Sequence, residues 1–172
     1  MTAIPEGLDL QRITDALARH NVRYLLVGGI ASRAHGAQRP TYDFDCVPEA
    51  SWENLDRLAA AMRDLRARLR VEGLSDEEAA VLPVQVTGST LVRMEISTWR
   101  TDAGDLDVLT DIPDRDGRHM RYAELICRAS ELHVDGIVVR VAALDDVIAS
   151  KEWANRPKDR DALPELRSLR GE

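Results

Sequence analysis

The sequence predicts an α+β fold, a mixed β-sheet flanked by helices, with a short helical cover over residues 143–170. Three observations lead there. Short apolar runs with two-residue alternation are interleaved with stretches whose apolar residues recur at helical spacing. Extended segments break at Gly28-Gly29 and at Asp135-Gly136, dipeptides suited to turns. No repeat, low-complexity tract or Gly/Ser linker divides the 172 residues, a length usual for one domain, so residues 1–172 are read as a single domain.

Taken in order, residues 8–20 place Leu8, Ile13, Ala16 and Leu17 on one helical face, and the chain turns at Asn21 into an extended run over 23–27. Gly28-Gly29 breaks this strand, and residues 30–35 read as a short helix closed by Gly36. A second strand over 42–47 alternates, so Asp43 and Asp45 share one face while Tyr42, Phe44 and Cys46 share the other. Ser51 then offers an N-cap for a long helix ending near Arg70, with Trp52, Leu55, Leu58, Ala59, Met62 and Leu65 as its buried stripe.

Ser75-Asp76-Glu77-Glu78 before Ala79-Ala80-Val81-Leu82 predicts a capped short helix. Residues 84–87 and 91–99 read as strands, and 105–109 as another. A hairpin is expected from 131–134 and 137–141 across Asp135-Gly136. The remainder reads as helical, broken by Pro157 and Pro164.

Composition narrows the function classes. A chain with 44% hydrophobic and 31% charged residues is rich enough in core-forming side chains to fold. Its formal net charge of −7 excludes a general binder of nucleic acid or of anionic membranes, so a polyanionic partner must meet a local basic patch. Positive residues cluster at Arg63, Arg66, Arg68 and Arg70, read as a solvated helix face, and at Lys151, Arg156, Lys158, Arg160, Arg167 and Arg170. The two cysteines, Cys46 and Cys127, lack the spacing of a zinc site. Residues 1–9 lack a basic stretch followed by an apolar run, and no segment approaches the roughly 20 apolar residues of a membrane span. The expected location is cytoplasmic, with no membrane partner.

The chemistry centres on Asp43 and Asp45. Two carboxylates on one strand face crowd like charge, which is costly unless a cation neutralises them, and hard oxygen ligands suit Mg²⁺. Alone, Asp-x-Asp is more often the solvated face of an edge strand. Val27-Gly28-Gly29 upstream would let backbone N–H groups approach a phosphate, although a Gly-Gly pair by itself is only a turn.

The stretch Gly28-Gly29-Ile-Ala-Ser-Arg-Ala-His35-Gly36-Ala-Gln-Arg39-Pro-Thr41-Tyr-Asp43-Phe-Asp45 resembles the signature of the DNA polymerase beta-like nucleotidyltransferase superfamily. It is most similar to the minimal branch holding AbiEii-type and MenT-type toxins, where Arg-x-Thr precedes Asp-x-Asp. The run from Lys151 through Arg156-Pro157-Lys158-Asp159-Arg160-Asp161-Ala162-Leu163 resembles that branch's Lys-x(4)-Arg-x-Lys-Asp-x-x-Asp-Leu pattern. Residues 73–99 match only in the order of elements.

The resemblance implies a nucleotidyltransferase fold and an Mg²⁺-dependent transfer from an NTP, such as ATP, with two metal ions on Asp43, Asp45 and a third carboxylate. Asp105 and Asp107 are both candidates; Asp107 is preferred because Leu106 and Val108 anchor it in a buried strand while Asp105 sits at its mouth. The resemblance also assigns nucleotide contacts to Gly28, Gly29, Arg39 and Lys151, the last counted among the catalytic residues. Gly29 departs from the wider superfamily in offering no side-chain hydroxyl, and Ser32 is poorly placed to replace it. Arg39 reads equally as part of a loop-stabilising ion pair. Arg156, Lys158, Asp159 and Asp161 are read first as ion pairs fixing the last two helices, His35 as a residue that caps or packs the short helix, and Trp52, Trp99 and Trp153 as core or groove residues.

The implied acceptor is an RNA, at the tRNA 3′ end, or a protein hydroxyl, with a possible cognate antitoxin as partner. Two other readings stay open: a small-molecule nucleotidyltransferase acting on an aminoglycoside-like acceptor, and a non-catalytic NTP- or partner-binding protein of the same fold.

Overall fold

The structure is a computed structural model that describes residues 7–171; residues 1–6, part of the leading segment read above, lie outside the described residues. The elements in chain order are α1 (Leu10–Arg19), β1 (Tyr24–Leu26), α2 (Gly28–Ala34), β2 (Asp43–Pro48), α3 (Trp52–Asp64), β3 (Arg68–Leu69), α4 (Asp76–Ala80), α5 (Gly88–Val92), β4 (Ile96–Thr101) and β5 (Gly104–Leu109). A hairpin of β6 (Asp111–Pro113) and β7 (His119–Arg121) follows, then α6 (Tyr122–Leu125), β8 (Ser130–Val134), β9 (Ile137–Val141), α7 (Leu144–Ala154) and α8 (Pro157–Arg170). Seven strands form one mixed sheet in the order β3-β4-β5-β2-β1-β9-β8, and β6-β7 form a separate pair. The expected mixed sheet with flanking helices is present.

Local chemistry explains most boundaries. The Asp9 side chain accepts from Arg12 N to open α1, whose Ile13, Ala16 and Leu17 are fully buried. Ser51 accepts from Asn54 N to open α3, and Ser75 with Glu78 closes a capping box on α4. Helix α2 ends at Gly36 with Gly36 N–H on Arg33 O and Ala37 N–H on Ser32 O, the paired bonds of a Schellman termination. The Asp135-Gly136 hairpin joins β8 to β9 as expected.

Five expectations are corrected. Helix α3 stops at Asp64 and does not reach Arg70, because Arg66 takes a left-handed conformation and Ala67 N–H bonds back to Met62 O. The Arg63–Arg70 cations therefore do not form a helix face. Residues 84–87 form no strand, and 91–99 is only partly extended: Thr87 caps α5, which buries Leu91 and packs Gly88 against Asp56 of α3. Trp52 is 62% exposed, since it precedes the first inward-facing turn of α3, and buried Asn54 takes the inward place. Pro164 lies inside α8 and does not break it. It is exposed, so the Arg160 carbonyl left without its N–H partner can be hydrated. Finally, the β6-β7 hairpin falls where no strand was expected; its turn residue Gly117 lies beneath the Trp153 ring of α7.

Asn54 links three elements. Its amide donates to Arg23 O at 2.8 Å and to Glu49 O at 2.9 Å, and its oxygen accepts from Arg23 N at 2.7 Å, all with the side chain fully buried. These bonds tie α3 to the outer ends of β1 and β2. Replacing Asn54 by Leu leaves Arg23 N and Glu49 O without this partner, while Arg23 O keeps the Glu49 N–H, at a cost of about 2–4 kcal/mol. The expected result is a melting temperature lower by roughly 5–15 °C for a chain of this size, measurable by circular dichroism.

Candidate active site

Strand β2 sits centrally, antiparallel to β1 and parallel to β5. Its register sets Asp43 opposite Asp105 and Asp45 opposite Asp107. Period-two alternation then puts all four acids on one face, while Phe44, Cys46 and Leu106, all fully buried, hold the strands from the other. The apolar residues between the acids are thus what fixes the acids' direction.

The four carboxylates differ in their partners. Asp105 is bonded by Arg70 at 2.6 Å and by Arg100 at 2.7 Å, so its charge is already neutralised. Among the described residues Asp43, Asp45 and Asp107 form no ion pair, and one buried oxygen of Asp107, Oδ1, has no hydrogen-bond partner. The three line one cleft with Gly28, Lys151, Arg156, Lys158 and Asp159. Burial, then the charge of Asp107 and a hydrogen bond shared with it, raises the Asp45 carboxyl to about 7. Burial and the charges of Asp107 and Asp105 also raise Asp43, while Lys158 pulls both downward. No three ligating side chains among the described residues are gathered round one point. The fit to a cation rests on the orphaned Asp107 oxygen and on like charges crowded in a partly dry wall.

Gly28 has φ of +62° at the start of α2, and a Cβ there would overlap Asp45 Oδ2. The turn therefore touches the acids. Gly29 is equally hemmed, but by Thr41, whose Oγ1 and Cβ occupy the place of a residue-29 side chain. Ser32, which the sequence placed poorly for a phosphate, spends its hydroxyl on Gly28 O at 3.0 Å.

Helices α7 and α8 form the opposite wall. Lys151 contacts Asp159 at 3.6 Å, and burial, countered by the Asp159 charge, lowers its pKa. Asp159 is fully buried and accepts from Arg156 Nε at 2.7 Å. Burial pushes its carboxyl up, but the Arg156 hydrogen bond and the charges of Arg156 and Lys151 outweigh that and hold it low. Asp159 thus anchors both cations to the wall. Arg39 forms no ion pair among the described residues; its Nη1 donates to Asp161 O at 3.3 Å, and it lines a second lobe with Gly28, Gly29, Thr41 and Lys158.

Sequence reasoning set Arg156 and Lys158 aside as structural, yet both line the two lobes. Lys158 and Asp161 form none of the expected ion pairs among the described residues. The signal was available: the two cations stand five and seven residues after Lys151, a spacing that a helix break at Pro157 folds back toward it. The apolar residues Ile96, Leu109 and Ile112 of the first lobe had no such signal, since each comes from a different strand. His35 packs as expected, its Nε2 within 2.8 Å of Ala142 O.

The chain is an enzyme of the nucleotidyltransferase class. It belongs to the family described as nucleotidyl transferase AbiEii toxin, of type IV toxin-antitoxin systems, whose profile matches residues 10–163. No curated protein matches the chain closely enough to count as a relative. Among solved structures, the lincomycin-bound lincosamide antibiotic adenylyltransferase LnuA is similar with a TM-score of 0.61 and 14% identity, over 95% of this chain and 99% of that one. ANT(2″)-Ia in complex with adenylyl-2″-tobramycin is similar with a TM-score of 0.56 and 17% identity, over 94% and 92%. At these identities the likeness is one of fold.

Proposed function

We infer that the protein transfers a nucleotidyl group from an NTP such as ATP to a hydroxyl on an RNA, the tRNA 3′ end, or on a protein, as the cytoplasmic toxin of a toxin-antitoxin pair. The observation that carries this reading is the trio Asp43, Asp45 and Asp107, unpaired beside Gly28 and facing Lys151 and Lys158. Those three acids would hold Mg²⁺, two ions in all. Bound there, the metal would neutralise the polyphosphate and favour ionisation of the acceptor hydroxyl.

The chain's own groups supply the rest. Gly28 and Gly29 allow backbone close to the phosphates; Arg39, Lys151 and Lys158 add positive charge along the path of the leaving group. The acceptor oxygen bonds to the α-phosphorus, the bond to the bridging oxygen breaks, and pyrophosphate leaves, with the acceptor proton lost to water. Asp159 acts as a positioning residue that keeps Lys151 and Arg156 aimed at the cleft.

Charge distribution supports a local RNA contact, not a broad one. Arg66 and Arg68 are committed to Asp102, Arg70 to Asp105, and Arg63 to Val86 O at 2.6 Å. A polyanion would therefore meet the cations at the start of α8. The test is incubation of the purified protein with each α-labelled NTP, Mg²⁺, total tRNA and cell lysate. Label is expected in RNA or protein; label confined to small molecules would favour an antibiotic-like acceptor, and no label in any fraction would end the enzyme reading for this site.

The same assay separates the two third-acid candidates. Asp107→Asn is expected to lower transfer by about 10³-fold, as loss of a metal ligand does. Asp105→Asn removes only the charge that pairs with Arg70 and Arg100, and transfer should stay within about fivefold of wild type. A large loss in Asp105→Asn with little loss in Asp107→Asn would remove Asp107 from the ligand set.

A further inference from the structure

Gly28 is excluded from carrying a side chain by Asp45, a residue of the proposed metal site. Gly29 is excluded by something else. A Cβ on Gly29 would meet Thr41 Oγ1 and Cβ, so the threonine fills the volume into which a side chain at position 29 would project. Thr41 is 8% exposed and lines the lobe that also holds Arg39, Asp43 and Lys158. Among the described residues its hydroxyl makes only one long bond, 3.4 Å to Asp43 O, near the limit at which such a contact has strength. Ser32, another hydroxyl lining that lobe, is committed to Gly28 O.

We propose that the Thr41 hydroxyl binds the polyphosphate of the NTP, supplying from the approach to β2 the donor that Gly29 lacks. The inference rests on the NTP reading above and adds a residue to it. A hydroxyl donating to an ionised phosphate oxygen forms a charge-assisted bond, so nucleotide binding would exchange a poor carbonyl contact for a strong one. The group also suits its surroundings: it adds no charge between the acids of β2 and the cations Arg39 and Lys158. The mutual exclusion of Gly29 and Thr41 means that one hydroxyl can occupy this place and not two.

The exclusion makes the idea testable by exchange. Binding of the α,β-methylene analogues of the four NTPs, with Mg²⁺, is measured by calorimetry on folded protein verified by circular dichroism. Thr41→Val, which keeps the shape and removes the donor, is expected to weaken the tightest analogue by about tenfold or more, and Thr41→Ser to recover most of that loss. Gly29→Ser alone should also weaken binding, through overlap with Thr41. The double variant Gly29→Ser with Thr41→Ala relieves the overlap and returns a hydroxyl from the other side, and should bind more tightly than either Gly29→Ser or Thr41→Ala alone. Wild-type binding with Thr41→Val within twofold of it, or a double variant no better than its parents, overturns the role of Thr41 alone. Failure of the wild type to bind any of the four analogues overturns the NTP reading, and this inference with it.

Discussion

Asp45→Asn is expected to abolish nucleotidyl transfer while making the metal-free protein more stable. The loss, about 10³-fold or more, follows from removing one of the three proposed Mg²⁺ ligands. The gain in stability follows from electrostatics: Asp45 is half-buried beside Asp107, and its carboxyl is raised to about 7 by desolvation and by that charge. A folded-state value raised from 3.8 means that the native protein keeps a proton the unfolded chain has released. Stability of the metal-free wild type therefore falls as pH rises from about 4 to about 7, and stays low above that. Asparagine does not titrate, so Asp45→Asn should flatten this decline and raise the melting temperature at pH 8 by several degrees. At a few degrees per kcal/mol for a chain of this size, that corresponds to about 1–3 kcal/mol. Mg²⁺ should raise the wild-type melting temperature increasingly across the same pH window and leave the variant's nearly unmoved. A variant no more stable than wild type at pH 8 would show that Asp45 is not crowded as described.

Gly28→Ala is expected to act on Asp45 from outside it. The position has φ of +62°, where a β-carbon costs about 1–2 kcal/mol, and the new methyl group would overlap the Asp45 carboxylate. A carboxylate end is easier to displace than backbone, so the fold should survive with Asp45 pushed away from Asp107. Transfer should fall by about 10²-fold or more, in line with displacing a proposed metal ligand by a fraction of its length. The decisive measurement is the double variant. If Gly28→Ala works through Asp45, then adding it to Asp45→Asn should cost little further activity, a strongly non-additive result. Full additivity would mean that the glycine serves some purpose unconnected with that acid.

Much of this site could be read without coordinates, and the reason is local. The alternation of Asp43, Phe44, Asp45 and Cys46 determines which way the acids point, because a strand has a period of two and the apolar partners must be buried. The same rule applied to Leu106, Asp107 and Val108 found a second strand with an outward acid. The caps at Ser51 and Ser75 and the Asp135-Gly136 turn were legible because each is a short-range exchange of backbone hydrogen bonds.

What failed depended on contacts between distant residues. The end of α3 turned on Arg66 accepting a left-handed conformation without glycine, and residues 84–92 became a cap and helix because Leu91 and Gly88 dock on α3. The positively charged wall is a mixed case: Arg156 and Asp159 form the expected ion pair at the start of α8, whereas Lys158 forms none among the described residues and acts instead on the charges of Asp43 and Asp45.

The sequence by itself determined the direction of the acids, the glycines beside them and the likeness to a nucleotidyltransferase, since each is set by neighbours within a few residues. Only the tertiary structure decided which acids remain unpaired. Flanking residues alone favoured Asp107 over Asp105; the pairing came from Arg70 and Arg100, brought in by β3 and β4, which neutralise Asp105, while among the described residues Asp107 forms no ion pair. Charge pairing acts through space at a few ångströms, and the chain's order carries no record of it.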